Sequence, residues 1–243
     1  MERIRIDKML SQAMMLSRAD AKKILREGSV SVNGNICKNG DMKVDPNTDV
    51  VCVNGKQLIY DKYIYIMLHK PSGIVSASRD SKEKTVVDLV PSEIRRKGLF
   101  PAGRLDRDTT GFVLLTDDGD FAHRILAPGK HVPKTYHVTL TRRVSVNETD
   151  ELAKGPILDD EQLLPVQTQL LDDAIHLYSV VLMEGRYHQI KRMFAKQGNP
   201  VLALHRVKMG NLELDPALQP GECRLLTPQE VKMIEKRNCL FDE

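Results

Sequence analysis

No run of this 243-residue chain is long and apolar enough to cross a bilayer as a helix. The longest, Tyr63-Ile64-Tyr65-Ile66-Met67-Leu68, falls far short of the roughly 20 residues such a helix needs. The first residues, Met1-Glu2-Arg3-Ile4-Arg5-Ile6-Asp7-Lys8, carry charge where a signal peptide needs an apolar core. Cysteine is scarce. Cys37, Cys52, Cys223 and Cys239 form no Cys-x-x-Cys pair, and no histidine stands at zinc-ligand spacing from one. Free thiols in a reducing compartment are expected, with no structural metal and a cytoplasmic, non-membrane location. The chain also lacks a glycine-rich dinucleotide loop, a Walker loop and an acidic or His/Cys metal cluster, so no cofactor is expected.

What is present is ordinary in amount and informative in placement. Composition is that of a globular protein, 41% hydrophobic and 28% charged. The net charge is only +3, and residues 1–60 carry all of it, with ten Lys/Arg against seven Asp/Glu. A small basic module joined to a neutral body fits a nucleic-acid-binding appendage.

Ile6, Met9, Leu10 and Ala13 recur at helical spacing. A second helix is expected from Ser17, with Asp20 at capping-box distance and Gly28 at its end. Ala21, Ile24 and Leu25 give it a buried face, and Arg18, Lys22 and Arg26 share the other, with Lys23 beside them. Val30-Ser31-Val32-Asn33-Gly34 and Val51-Cys52-Val53-Asn54-Gly55 each join an alternating strand to an Asn-Gly hairpin turn. A module of about sixty residues follows: two short helices and a small curled sheet.

Beyond a boundary near 57–62, strands outnumber helices and short turns link them. Strands are expected at 63–68, from Phe112, at 134–140, 175–183, 201–204 and 207–214. Helices are expected at 85–89, 121–126, from Tyr187, and after the Thr227-Pro228-Gln229-Glu230 start signal. Regular βαβ alternation is absent. The body, residues 61–243, reads as α+β, a mixed and mostly antiparallel sheet flanked by helices.

The densest chemistry lies in Gly103-Arg104-Leu105-Asp106-Arg107-Asp108-Thr109-Thr110-Gly111. Two glycines allow a tight bend or a close approach. Arg104 and Arg107 bracket Asp106 and favour its ionised form, and a positioned carboxylate can act as a nucleophile. A charged surface turn is the plainer alternative. Asp106-x-Asp108-x-Thr110 resembles the signature of haloacid-dehalogenase-type phosphohydrolases, but their aspartate ends a strand, whereas here the apolar strand follows the motif. Asp117, Asp118 and Asp120 could imitate a metal cluster; a solvated turn explains them better.

A second resemblance covers nearly the whole chain. Arg5-Ile6-Asp7-Lys8-x-Leu10, Ser17-Arg18-x-x-Ala21 and Ile24-x-x-Gly28-x-Val30-x-Val32-Asn33-Gly34 resemble the S4 RNA-binding module. The Gly103–Gly111 segment, Lys134-Thr135-Tyr136, and Glu184-Gly185-Arg186-x-x-Gln189-Ile190-Lys191-Arg192-Met193 resemble, in order, three motifs of the pseudouridine synthases.

That resemblance implies Asp106 as nucleophile and Lys191 as its cationic partner in a buried pair. It implies Tyr136 packing against a flipped base, and Arg104 filling the space the base leaves. Arg107, Arg186, Tyr187 and His188 would face RNA, as would Arg5, Lys8, Arg18, Lys22, Lys23 and Arg26 of the module. His205-Arg206 could face RNA or the core. The wording Arg186-Tyr187-His188-Gln189 is similar to the small-subunit branch, so the implied substrate is 16S rRNA of the uridine-516 type, free or in an assembly intermediate, acted on by a monomer. A 23S rRNA synthase of the same branch and a non-catalytic rRNA-binding protein stand as alternatives. The chemistry breaks an N-glycosidic bond, turns the base and rejoins it through carbon, after the uridine has left its stack. Nothing is oxidised or hydrolysed.

Overall fold

The computed structural model describes residues 3–127, 129 and 131–236. Cys239 lies outside the described residues. Two compact units divide the chain, Met1–Tyr63 and Ile64–Glu243.

The first unit opens with α1 (Ile6–Ala13) and α2 (Arg18–Arg26). Ile6, Met9 and Leu10 meet Ala21 and Leu25 in its core. Ser17 caps α2 by accepting from the Asp20 amide at 3.1 Å, and Gly28 leaves the helix with positive φ. A four-stranded sheet follows, β1 (Val30–Val32), β2 (Asn35–Ile36), β3 (Val51–Val53) and β4 (Lys56–Gln57), paired in the order β2-β1-β3-β4, while Ile4–Arg5 pairs separately with Lys43–Val44. Both turns, Asn33-Gly34 and Asn54-Gly55, have positive φ throughout, which the primed hairpin turns demand.

The second unit is built on a nine-stranded sheet. Its main strands are β5 (Tyr65–Lys70), β6 (Thr110–Thr116), β7 (Lys134–Leu140), β8 (Gln167–Asp172), β9 (Leu177–Leu182), β10 (Val201–Met209) and β11 (Cys223–Leu225). They pair in the order β8-β9-β7-β10-β6-β5-β11. All these pairs are antiparallel except β10 with β6. The helices are α3 (Gly119–Leu126), α4 (Val146–Ala153), α5 (Gln189–Lys196) and α6 (Pro228–Glu235). Strands buried on both faces explain the continuous apolar runs. Ile66, Leu68, Val113 and Leu115 pack with Leu152 of α4 and Phe194 of α5. Met67, Phe112 and Leu114 face the other way, against Phe121 of α3 and Ile234 of α6. The α+β architecture read from the sequence is the architecture observed.

Several local expectations differ. Residues 85–90 turn but form no helix. Thr85 bridges Val75, and its amide and hydroxyl both bind Asp88 Oδ2 at 2.8 Å. The bridge to Val75 ties Thr85 into extended pairing, and two β-branched valines add little helical bias. Asp118 is no solvated turn residue. It is buried, caps α3 through the Phe121 amide at 3.0 Å, and accepts from the Tyr65 hydroxyl at 2.6 Å. Asp117 accepts from the Ile64 amide at 2.8 Å. The expected strands at 201–204 and 207–214 are mostly one, β10, which turns at Gly210 into a two-residue strand, Leu212–Glu213. The α4 helix was not anticipated, although Ser145-x-x-Glu148 carries its full capping box.

At the parallel pair, Gly111 has φ +104°, and a Cβ built there would lie 2.3 Å from the Arg206 carbonyl oxygen. Gly119 has open space around it and no positive φ. Gly111→Ala should therefore lower unfolding stability by ~3 kcal/mol or more, and Gly119→Ala should change it by less than about 1 kcal/mol. Denaturant unfolding of both variants checks this. Equal stabilities would contradict the close approach.

Candidate active site

The Asp106 loop enters the sheet at that parallel pair, where Arg206 pairs with Gly111. Arg206 Nε donates to the Phe112 carbonyl at 2.7 Å and locks the junction. The loop's own backbone is held from beneath. Lys70, fully buried, donates to the carbonyls of Pro71, Arg107 and Thr109 at 3.1, 2.9 and 2.7 Å. Burial pulls the Lys70 ammonium down to about 8, while Asp108 and Asp106 pull it upward. The Ser76 hydroxyl donates to the Leu105 carbonyl at 2.9 Å and accepts from the Leu105 amide at 3.1 Å. The Gly73 amide binds the Arg107 carbonyl at 2.8 Å. The residues on both sides of Asp106 are thus fixed.

The opposite wall is the start of α5. Gln189 is buried, accepts from the Arg186 amide at 2.9 Å and donates to Glu184 Oε1 at 2.9 Å. These bonds hold the turn into the helix. His188, at the N-cap, takes a left-handed conformation with φ 49°. The helix begins at Gln189, two residues later than expected, because His188 breaks the helical path.

Lys191 projects from the first turn of α5. Its Nζ lies 3.2 Å from Asp106 Oδ2 and 2.5 Å from Asp108 Oδ1. His188 Nε2 lies 3.4 Å from Asp106 Oδ1. The expected pairing of Asp106 with Lys191 is present, with two corrections. The side chains are each 26% exposed, so the pair opens onto a cleft and is not buried. Lys191 is also shared with Asp108. Burial lowers the Lys191 pKa, but its bonds to Asp108 and Asp106 outweigh that and leave it above the ordinary lysine value. The Lys191 bond holds Asp108 below the usual carboxylate range.

These groups line a cleft of about 680 Å³. Tyr136, from β7, is buried in its wall, with the Arg206 guanidinium carbon 6.0 Å from its ring centroid. Arg104 lines the cleft, exposed, with no ion pair to Asp106 or Asp108 among the described residues. Arg107 is turned toward Glu83, 3.1 Å away, and the Gly73 carbonyl. Arg186 pairs with Glu161 at 2.9 Å. Tyr187 is exposed and stacks on His188, centroids 3.9 Å apart. Arg206 is buried at the cleft. His205 alternates to the opposite face of β10, where Thr110 Oγ1 meets its Nδ1 at 2.7 Å.

In the first unit, Arg18, Lys22, Lys23 and Arg26 are exposed along α2, and Lys8 is exposed on α1. Arg5 differs from the expectation. It grips the buried Asp7 carboxylate at 2.7 and 3.1 Å and also pairs with Asp41, so it is engaged inside the unit. Among the described residues no group of His, Cys, Asp and Glu could hold a metal ion. No described helix is long and apolar enough to cross a membrane.

Sequence reasoning missed Lys70, Ser76 and the Asp108 contact. His69-Lys70-Pro71-Ser72-Gly73 reads only as a turn, and nothing in it signals a lysine buried under a loop distant in sequence. The arrangement provides a carboxylate beside an ammonium, a flat aromatic wall and a cationic rim.

Residues 64–196 match the model of the RNA pseudouridylate synthase family, and residues 4–50 match that of the S4 domain. The chain is 42% identical to the ribosomal small subunit pseudouridine synthase A of Pasteurella multocida, over 96% of this chain and 100% of that one. It is 41% identical to an uncharacterised RNA pseudouridine synthase of Bacillus subtilis, over 96% and 99%. A crystal structure of a pseudouridylate synthase superposes with a TM-score of 0.66 at 39% identity, covering 95% of this chain and 99% of that one.

Ser76→Ala leaves a buried amide and carbonyl of Leu105 unbonded. It should cost about 1–3 kcal/mol of stability and lower turnover more than RNA affinity, because the carboxylate's support loosens. Unfolding curves and single-turnover assays check this. Unchanged turnover in a folded variant would mean that Ser76 does not position the loop.

Proposed function

The chain belongs to the RNA pseudouridylate synthase family, and we propose that it isomerises a single uridine of 16S ribosomal RNA, of the position-516 type, to pseudouridine. The observation that carries the mechanism is the contact of Asp106 with Lys191 at the mouth of a cleft walled by Tyr136. The small-subunit reading rests on the similarity to small-subunit synthases along nearly the whole chain.

In this reading the target uridine leaves its stack and enters the cleft. Tyr136 gives the base a flat surface to pack on. Asp106 is the nucleophile, toward the ribose anomeric carbon or the uracil ring, and the Lys191 ammonium, 3.2 Å away, pairs with it and aims it. Arg104, exposed at the cleft, fills the gap left in the RNA. Arg107, Arg186, Tyr187 and His188 line the RNA path around it. The basic face of α2, with Lys8, holds the RNA backbone, which supplies affinity without reading sequence.

Asp106→Asn should abolish pseudouridine formation and leave RNA affinity nearly intact, since the nucleophile acts only in the chemical step. Chemical mapping of pseudouridine in 16S and 23S transcripts and in small-subunit particles checks both activity and target. Turnover by the Asn variant, with deamidation excluded, would overturn the nucleophile. Modification of 23S rRNA alone would overturn the 16S assignment and keep the isomerase.

Replacing Arg18, Lys22, Lys23 and Arg26 by Gln should weaken RNA binding and flatten its salt dependence. Each lost phosphate contact should reduce the slope of log affinity against log salt by roughly 0.7 to 0.9. An unchanged slope would remove α2 from the RNA interface.

A further inference from the structure

Two cations lie at the cleft with no carboxylate to neutralise them. Lys134 and Arg206 are 4% and 1% exposed, and neither makes an ion pair among the described residues. Uncompensated buried charge is costly, so a fold that keeps it has a use for it or pairs it in another state. Lys134 Nζ donates to the Val132 carbonyl at 3.1 Å and lies 3.2 Å from His131 Nδ1. Arg206 spends Nε on the Phe112 carbonyl. Its Nη2 is buried with no hydrogen-bond partner among the described residues. A donor of that kind lacks an acceptor.

The placement says which acceptor suits it. Arg206 is the register partner of Tyr136 across β10 and β7, and its guanidinium lies near the Tyr136 ring. Lys134 precedes Tyr136 by two residues on β7 and so shares its face of the sheet. All three line the same cleft as Asp106. Any base packed on Tyr136 therefore lies beside two basic side chains, in the cleft that the Asp106–Lys191 pair also lines.

Isomerisation itself makes an anion at that spot. When the N1–C1′ bond breaks, its electron pair stays with the uracil and spreads over N1, O2 and O4. The pair returns when C5 bonds to C1′; C5 then gives up its proton and N1 takes one up, so the net change is zero. Between those events the base is negative. We propose that Lys134 and Arg206 form a cationic floor that stabilises the uracil anion while it is detached from the ribose, Arg206 Nη2 donating to one of its carbonyl oxygens. This rests on the isomerase reading and adds to it the groups that carry the leaving base. Preorganised donors in a site shielded from water are the strongest form of such stabilisation.

The surroundings of Lys134 make the floor sensitive to pH. Burial first, then the Arg206 charge, bring Lys134 down to about 7. His131, on the segment before β7, is itself held below the ordinary histidine range by burial and by Lys134, with Glu184 acting in the opposite sense on it. The same cleft is also lined by Asp106, Lys191 and His188. The charged form of Lys134 is therefore the one present below about pH 7, and it fades above that.

The test is the pH profile of single-turnover pseudouridine formation by the full-length protein and two variants. The wild type should lose rate as pH rises through about 7. Lys134→Arg keeps its charge throughout and should flatten that limb. Lys134→Met should be slower than wild type by roughly 10²-fold below about pH 7, the scale for losing one anion-stabilising donor, with the gap closing as pH rises and the wild-type lysine loses its charge, and with RNA affinity unchanged. Wild-type turnover in a folded Met variant, or the same alkaline limb in the Arg variant, overturns the floor. If the Met variant does not fold, the Arg profile decides. Active wild type with insensitive variants sinks the floor alone, whereas a wild type that modifies no rRNA sinks the isomerase reading and the floor with it.

Discussion

Gly111 lies so close to Arg206 that a Cβ would meet its carbonyl oxygen at 2.3 Å, and this approach sets the geometry around it. It seats β6 beside β10 as the parallel pair in an otherwise antiparallel sheet. It brings the loop before β6 to the side of the sheet where α5 begins. It also draws Arg206 inward, where the guanidinium lies beside Tyr136 and ties the Phe112 carbonyl. The Asp106–Lys191 contact joins residues far apart in sequence, and it forms because their backbones are already fixed by this junction, by Lys70 and Ser76 under the loop, and by Gln189 at the helix start.

Charge is distributed by two different rules in this unit. On the rim, cations are paired with acidic side chains or left in water, as Arg107, Arg186 and Arg104 are. Such contacts contribute little stability, about 0–1 kcal/mol each. Beneath the loop and at the cleft floor, Lys70, Lys134 and Arg206 are buried and served mainly by backbone carbonyls. Carbonyls satisfy donors without cancelling charge. The result is a set of buried cations, with Lys134 and Arg206 facing the cleft.

Local signals in the sequence carried much of this. The Asn-Gly turns, the Ser17 and Thr227 caps and the double-sided apolar strands are short-range features, and each appears where its residues imply. The three motifs around Asp106, Tyr136 and Lys191 also converge on one cleft. What escaped was long-range. That Lys70 would be buried under the Asp106 loop depends on two strands meeting, and a His-Lys-Pro-Ser-Gly run says nothing of it. Arg5 reads as a free cation until the buried Asp7 is seen to hold it. Thr85-x-x-Asp88 and Ser145-x-x-Glu148 have similar local spacing, yet one closes a lone turn and the other caps a helix. The difference lies in the β-bridge of Thr85 to Val75, which a sequence does not reveal.

The central claim is that Lys191 serves Asp106 as a charge. Single-turnover pseudouridine formation by Lys191→Met and Lys191→Arg tests it most directly, with RNA affinity measured alongside. The Met variant matches the length of lysine and removes its charge, so it should lose turnover by roughly 10²-fold or more while binding RNA normally. The Arg variant should stay within about tenfold of wild type, because the positive charge remains. A Met variant as active as wild type would contradict the account and shift the partnership of Asp106 to His188, 3.4 Å away.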